Sequence, residues 1–421
     1  MSTPKERPKR AVVFSGGGAR GAYEAGVVRY LVEALPRRLG KAPRFDIICG
    51  TSVGAVHACF LAGSAHQGEE RGQRLVDFWR SMRIQEILPL GRRDLLELPR
   101  RLLGLRRRAK GGDSDHHPER LYGLFDTSAL ERLVLRSTPW RSIHPNIKRG
   151  LVEAVCVAAT EISTGRVAVF LESAAPTLPG WTRDPSVVAV PTRLGPSHAL
   201  ASAAIPLLFP AVRIDGAYYA DGGLRLNTPL APALRLGADR VLVVTLQPSA
   251  QTLHEAALTS ADAGNYSSPT RMFGKLLNSV MLDHLDTDLA RMQLMNEMLG
   301  DGIEAFGPDF LPRLNRVAGE RRGQRFRIID ELVIRPSADL GALAVEVLES
   351  MPHIRDRSLL FRLAMRGIEE GEASAEPDLL SYLLFDGDFV APLAELGFRD
   401  AQQREEELLA FFSDEPGATG P

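Results

Sequence analysis

Two units in the first 61 residues each pass from an apolar strand, through a loop containing glycines, into a helix. In the first unit a strand over residues 11–14 leads through "SGGGARG" to a helix over 22–35. In the second a strand over 45–49 leads through "CGTSVGA" to a helix over 53–61. Strands that alternate with helices pair in parallel, with the helices packed on the sheet. The sequence therefore predicts an α/β fold with a mainly parallel central sheet.

The rest of the chain extends this sheet and interrupts it twice. Further strands are predicted at 152–160, 166–170, 211–221 and 240–246, with a last strand of the same sheet within 330–341. We expect a flexible tail over 1–10, one α/β domain over 11–341 with insertions at about 85–120 and 250–325, and a helical extension over 342–421. A chain of 421 residues with 44% hydrophobic content can bury the large core that such a domain needs.

The composition excludes several classes of protein. Lys and Arg total 51 against 52 for Asp and Glu, so the molecule as a whole has no field that favours nucleic acid. The three cysteines, Cys49, Cys59 and Cys156, form no C-x-x-C pair and indicate free thiols in a reducing compartment. With no apolar leader region and no run of about 18 apolar residues, we expect a cytoplasmic protein without a transmembrane segment. We also expect no metal and no cofactor.

The stretch "CGTSVGA" places Ser52 at the centre of a G-x-S-x-G pattern between a buried strand and a helix. A sharp strand-to-helix turn needs small neighbours, here Gly50 and Gly54, and it exposes the central side chain. The same turn points the helix N-terminus at any negative charge that forms there. The alternative is a glycine-serine turn that serves only close packing. We interpret Ser52 as a nucleophile.

The first glycine loop contains a G-x-G-x-x-G pattern, at Gly16, Gly18 and Gly21. A dinucleotide site would place an acidic residue about 20 residues further on, at the end of the second strand. The second strand ends in "CGTS" without a carboxylate, and Asp46 lies at its other end. The dinucleotide interpretation therefore fails.

A second interpretation of this loop is an oxyanion hole beside the serine. Bare glycine backbone can approach a substrate closely and offer N–H groups to a developing oxyanion. The predicted donors are the N–H groups of Gly16, Gly17 and Gly18, together with that of Val53 at the start of the second helix.

A nucleophilic serine needs a base, and the conspicuous candidate is Asp221 in "YYADGGLRLNTPL". An aspartate at the end of a strand, followed by Gly222 and Gly223 and then by Asn-Thr-Pro, is typical of a functional loop. The alternative is a plain Asp-Gly hairpin turn. None of the nine histidines lies in a loop with motif character, and His57, five residues after Ser52, is interpreted as a packing histidine.

In their order along the chain, these motifs resemble those of the patatin-like phospholipases. "SGGGARGAYEAGV" is similar to the family's glycine-rich oxyanion motif, with Arg20 at its usual basic position, and "GTSVGA" is similar to its nucleophile elbow. "DGGLRLNTP" resembles the family's Asp-Gly-Gly/Ala motif, and residues 199–223 resemble its approach to that aspartate. The resemblance covers about residues 11–246 and does not account for the insertions or the C-terminal helices.

The resemblance implies a three-layer α/β/α fold and hydrolysis of phospholipid or other lipid esters, of the phospholipase A or lysophospholipase type, by a Ser-Asp dyad. It makes Ser52 the nucleophile and Asp221 the general base, with oxyanion donors at Gly17 and Gly18. Supporting motif positions are Arg20, Gly21, Gly50, Gly54, Gly222 and Gly223. Two alternatives stay open, an acyltransferase on the same scaffold and a lipid-binding module without catalysis.

Three further features allow two interpretations each. Arg20 either binds a phosphate or carboxylate of the substrate or pairs with Glu24 one helical turn away. Residues 92–110 carry eight basic and two acidic side chains among leucines, which suits peripheral contact with an anionic membrane or a solvated basic helix. The methionine-rich amphipathic segment 271–299 is either a lid over an acyl groove or a core helix.

Overall fold

A computed structural model describes residues 7–87, 128–175, 181–182, 184–206, 208–249, 285–322, 325–350 and 377–413. The strands within these residues are β1 (Arg10–Phe14), β2 (Ile47–Thr51), β3 (Ala154–Glu161), β4 (Val167–Ser173), β5 (Val187–Pro191), β6 (Val212–Ile214), β7 (Ala217–Asp221), β8 (Arg240–Val244) and β9 (Asp330–Ile334). The helices are α1 (Ala22–Arg29), α2 (Leu35–Leu39), α3 (Val53–Gly63), α4 (Arg71–Arg80), α5 (Ile84–Ile87), α6 (Ser128–Ser137), α7 (Ile143–Lys148), α8 (Pro196–Ser202), α9 (Leu230–Arg235), α10 (Leu285–Phe306), α11 (Phe310–Arg322), α12 (Leu340–Ser350), α13 (Pro377–Leu383), α14 (Gly387–Gln403) and α15 (Glu405–Phe412). Short 3₁₀ turns lie at Gly18–Gly21, Trp140–Ser142 and Gly222–Leu224, and a π-helical segment, Tyr30–Ala34, joins α1 to α2.

The nine strands of the described residues form one sheet in the order β5-β4-β3-β2-β1-β8-β9, with the β6–β7 hairpin beside β3. The run from β3 through β2, β1 and β8 to β9 is parallel, whereas β4 runs antiparallel to β3. Along β1, Val12 and Phe14 pack into one apolar cluster and Ala11 and Val13 into another. Helices cover both faces, so the predicted three-layer α/β/α fold with a mainly parallel sheet is confirmed. The last strand predicted within 330–341 is β9.

The segment 211–221, predicted as one strand, is a hairpin of β6 and β7. The chain turns at Asp215 and Gly216, whose φ angles are 47° and 87°. Positive φ at both central residues is what a two-residue hairpin turn of type I′ requires, and Asp-Gly is a preferred sequence for it. The consequence is that β7 runs back antiparallel toward the end of β2, with Asp221 as its last residue.

Helix α14 packs directly against α1 through a pair of glycines. A Cβ added at Gly26 would lie 1.8 Å from the carbonyl oxygen of Ala394, and one at Gly397 would lie 2.0 Å from that of Tyr23. Only residues without a side chain let two helix backbones approach this closely. Phe389 of α14 belongs to the same apolar cluster as Phe14 of β1. The C-terminal helix α14 is therefore part of the core of the α/β domain.

The predicted insertions are described only in part. The basic segment 92–110 and residues 271–284 lie outside the described residues. The described remainder of the methionine-rich segment is helix α10, which buries Leu289 and Met292 and exposes Met295 and Met298. Its residues Leu285, Leu289 and Met292 join the apolar cluster on the sheet face opposite to α3. This part of the segment therefore packs as a core helix. None of the described helices is long and apolar enough to cross a membrane.

Candidate active site

Ser52 occupies the sharp turn between β2 and α3. Its backbone has φ 55° and ψ −124°, a conformation that residues with side chains rarely adopt. The turn closes so tightly that a Cβ at Gly50 would lie 2.0 Å from the carbonyl oxygen of Gly54, and one at Gly54 would lie 2.5 Å from that of Phe14. These contacts explain why the G-x-S-x-G pattern needs both glycines. Strain of this kind costs about 1–3 kcal/mol and is concentrated at functional sites.

The sheet itself brings Asp221 to Ser52. The pairing of β2 with β3 ends where Thr51 lies opposite Ala158. At the next residue of β3, Ala159, the partner is Asp221 of β7. Strand β7 thus takes over the place of β2 along β3 at the point where β2 turns into the elbow. As a result Ser52 Oγ donates a hydrogen bond of 2.7 Å to Asp221 Oδ2, across 169 residues of sequence.

The Asp221 carboxylate is buried and held in a fixed orientation. Its side chain is 1% exposed, and its Oδ1 accepts a 2.7 Å hydrogen bond from the backbone N–H of Gly223. Burial raises the pKa of Asp221 from 3.8 to about 7, although the hydrogen bonds from Ser52 and Gly223 act in the opposite direction. A carboxylate with this pKa is a far better proton acceptor near neutral pH than an aspartate in water.

Ser202 of α8 fixes the elbow backbone, and sequence analysis assigned it no role. Its Oγ accepts a 2.8 Å hydrogen bond from the Ser52 N–H and donates a 2.5 Å hydrogen bond to the carbonyl oxygen of Ala158. The side chain is fully buried. It therefore ties the strained turn to β3, the strand that also positions Asp221. The available signal was its place in "ALASAAIP", within the stretch that resembles the family's approach to Asp221.

The glycine loop lies beside the elbow, and the N–H of one predicted donor already has a partner within the fold. The N–H of Gly16 donates to the carbonyl oxygen of Asn227 at 3.2 Å. This hydrogen bond engages the Gly16 N–H and holds the loop to the segment after Asp221, and the role of Gly16 as an oxyanion donor stays a prediction. Gly18 is the first residue of a 3₁₀ turn, Gly17 directly precedes that turn, and Val53 is the first residue of α3. Because N–H groups at the start of a helix have no acceptor within it, these three N–H groups are not used by helical hydrogen bonds. These three N–H groups remain candidates for an oxyanion hole.

An apolar pocket opens at Ser52. Its walls come from the glycine loop, the elbow helix and the helices α4, α6 and α8, and its lining includes Gly18, Val53, Val56, Trp79, Leu130, Val134, Leu200, Ile205, Phe209 and Phe385. Such a lining suits the hydrocarbon part of a ligand, which gains free energy when it leaves water. Ser52 and Asp221 thus lie at the edge of a pocket with an apolar lining.

His57 has partners that keep it away from the dyad. Its Nδ1 lies 2.7 Å from Glu24 Oε2, and its Nε2 accepts a 3.0 Å hydrogen bond from Trp79 Nε1. Burial lowers the pKa of His57 to about 3 and raises the pKa of Glu24 well above its usual range. His57 therefore orients Trp79 in the pocket wall. The pairing of Arg20 with Glu24 is not formed, because the carboxyl group of Glu24 faces His57 instead.

Arg20 contacts the C-terminal helix α13. Its Nε donates a 2.6 Å hydrogen bond to Ser381 Oγ, and its guanidinium lies 4.4 Å from the centre of the Tyr382 ring. The side chain is only 7% exposed. Neither of these partners was predicted from the sequence.

The three motifs of this site lie within a region that matches a known protein family. The model of the patatin-like phospholipase family matches residues 12–234, which include the glycine loop, the elbow and the Asp221 loop. The chain belongs to this family. A curated relative, the cGAMP-activated phospholipase of Pseudomonas aeruginosa (strain BWHPSA011 / Pa011), is 33% identical over 224 residues. That match covers 52% of this chain and 53% of the relative, so the shared part is about half of each protein.

Two solved structures align with most of the chain at low similarity. VipD from Legionella pneumophila is 14% identical, with a TM-score of 0.29, over 92% of both chains. Human GIVD cytosolic phospholipase A2 is 13% identical, with a TM-score of 0.37, over 98% of this chain and 60% of that one. Similarity at this level carries no information about the activity of this patatin-like chain.

Proposed function

We propose that this patatin-like protein is a serine lipid acyl hydrolase that cleaves carboxylic esters of phospholipids or lysophospholipids. The observation that carries the proposal is the 2.7 Å hydrogen bond from Ser52 Oγ to Asp221 Oδ2 at the edge of an apolar pocket. Membership of the family and the similarity to a curated phospholipase support a lipid ester as the substrate class.

The reaction proceeds in two halves through an acyl-enzyme. Asp221 accepts the proton of Ser52 as Oγ attacks the ester carbonyl, and the N–H groups of Gly17, Gly18 and Val53 bind the oxyanion. Collapse of this intermediate expels the alcohol, which takes the proton from Asp221. Water then attacks the acyl-enzyme and gives its proton to Asp221. The fatty acid leaves as the proton returns to Ser52.

Covalent labelling and product analysis together test this function. A fluorophosphonate probe is expected to label Ser52, and wild-type protein is expected to release free fatty acid from a phospholipid with water as the acceptor. Ser52→Ala should do neither. An acyltransferase would be labelled equally but would need an added alcohol or thiol to turn over, and an inert lipid-binding module would not be labelled. Wild-type protein that resists the probe would contradict the proposal.

The pH dependence of hydrolysis gives a separate prediction. Because Asp221 must be ionised to accept the proton, kcat/KM for a soluble ester should rise about tenfold per pH unit below pH 7 and level off above it. His57, with its pKa lowered to about 3, does not titrate in this interval. Initial rates between pH 5 and pH 9 measure the profile. A rate that is flat from pH 5 upward would show that a base with an ordinary carboxyl pKa, or no base, limits the reaction.

A further inference from the structure

The C-terminal segment 380–386, which we call the C-terminal clamp, lies outside the matched family region of residues 12–234. It begins in α13 and ends at the N-terminus of α14, and its residues Leu380, Leu383, Leu384 and Phe385 are buried in the main apolar cluster. The clamp therefore packs against the glycine loop as part of the core, although most of the sequence separates the two.

The first contact between the clamp and the loop goes through Arg20. Arg20 lies in the 3₁₀ turn Gly18–Gly21, two residues after the candidate oxyanion donor Gly18. The other candidate donor of the loop, Gly17, directly precedes this turn. The hydrogen bond to Ser381 fixes its Nε, and the Tyr382 ring covers its guanidinium. A guanidinium stacked on an aromatic ring in a buried setting is held more strongly than one in water. These two side chains hold Arg20, near the end of the loop, against α13.

The second contact is made by backbone. A Cβ added at Gly18 would lie 2.3 Å from the carbonyl oxygen of Tyr382. The Gly18 backbone has φ +58°, in the left-handed region that favours glycine. Tyr382 therefore contacts a donor residue of the loop directly, while its ring covers Arg20 two residues further on. A shift of Tyr382 would move Gly18 and Arg20 together.

The clamp is anchored on its other side to the helices of the pocket wall. Phe385 stacks on Trp79, with the rings 8° from parallel and their centres 6.3 Å apart. The N–H of Gly387 donates to the carbonyl oxygen of Met82, and Asp386 accepts from the N–H of Ile84. These contacts give the clamp a fixed position from which it can hold the loop.

We propose that Ser381 and Tyr382 are positioning residues for the oxyanion hole, acting through Arg20 and Gly18. The inference rests on the proposed hydrolase function and adds to it a part of the chain beyond the family region. The carbonyl group of the bound substrate depends little on hydrogen bonds from the loop. The oxyanion, in contrast, depends on the N–H groups of the loop at hydrogen-bond distance. Loss of the contacts that Ser381 and Tyr382 make with Arg20 should therefore lower kcat and leave KM nearly unchanged.

The test compares Tyr382→Leu, Tyr382→Phe and Ser381→Ala in the full chain, with a soluble ester as substrate. Tyr382→Leu removes the ring over Arg20 and should lower kcat about 10- to 100-fold, the range expected when reacting groups are misplaced by about 1 Å. Tyr382→Phe keeps the ring and should retain nearly all activity. Ser381→Ala is the milder variant, which keeps the experiment decisive if Tyr382→Leu does not fold, and should lower kcat severalfold.

The matched control is Phe398→Leu. The Phe398 ring lies 5.0 Å from the guanidinium of Arg29, so the same kind of contact joins α14 to α1 away from the glycine loop. This variant loosens the C-terminal packing and should leave kcat unchanged.

Equal kcat values for Tyr382→Leu, Ser381→Ala and Phe398→Leu would overturn the inference, because a merely structural role would affect all three alike. Wild-type protein that neither reacts with a fluorophosphonate nor hydrolyses the ester would instead overturn the proposed function and, with it, this inference.

Discussion

Ser52→Ala is expected to lower kcat for ester hydrolysis by about 10⁶-fold, and Asp221→Asn by about 10⁴-fold. Alanine leaves no atom to carry the acyl group, so the acyl-enzyme cannot form. Asparagine keeps the shape of the Asp221 side chain and can still accept the N–H of Gly223, but it cannot take the proton of Ser52. Steady-state rates with a soluble ester, together with the rate of fluorophosphonate labelling, measure both losses.

The control for the aspartate variant is Asp215→Asn on the same hairpin. Asp215 is exposed in the β6–β7 turn with φ 47°, a conformation that asparagine also accepts. This variant removes a carboxylate of the hairpin without touching Ser52, so its kcat should equal that of wild type. Asp221→Asn with more than a tenth of the wild-type kcat would show that another group accepts the proton, and the proposed dyad would then be rejected.

The sequence could predict the parts of this site that lie in short contiguous motifs. Ser52 needs its two neighbouring glycines within the same pentapeptide, and Asp221 accepts a hydrogen bond from the N–H of Gly223, only two residues further on. The alternation of strand, loop and helix was equally local and predicted the parallel sheet. The hairpin at Asp215 and Gly216 was also encoded locally, since Asp-Gly between apolar segments is a turn signal. Reading 211–221 as one strand missed that signal.

The parts that sequence analysis missed depend on partners far away along the chain. The sequence around Gly16, a predicted oxyanion donor, does not show that its N–H donates to Asn227, 211 residues later. Arg20 was compared with a neighbour one helical turn away, whereas its hydrogen-bond partner Ser381 lies 361 residues further on. Contacts of this kind follow from tertiary packing, which leaves no periodic pattern in either segment.

Asp221→Asn is also expected to stabilise the protein, by an amount that grows with pH. Because burial raises the pKa of Asp221 from 3.8 to about 7, the folded protein holds a proton between these values that the unfolded chain releases. Rising pH in this interval therefore lowers the free energy of unfolding of wild type, by about 1.4 kcal/mol per pH unit, whereas asparagine does not titrate.

Above pH 7 the difference in the free energy of unfolding between Asp221→Asn and wild type should stay constant, at about 4 kcal/mol. The proposed mechanism requires the ionised form, so the burial that would make Asp221 a usable base also destabilises the fold. Urea unfolding of wild type, Asp221→Asn and Asp215→Asn between pH 5.5 and pH 8 measures this difference. Asp215→Asn should follow wild type at every pH, and parallel curves for wild type and Asp221→Asn would contradict the raised pKa.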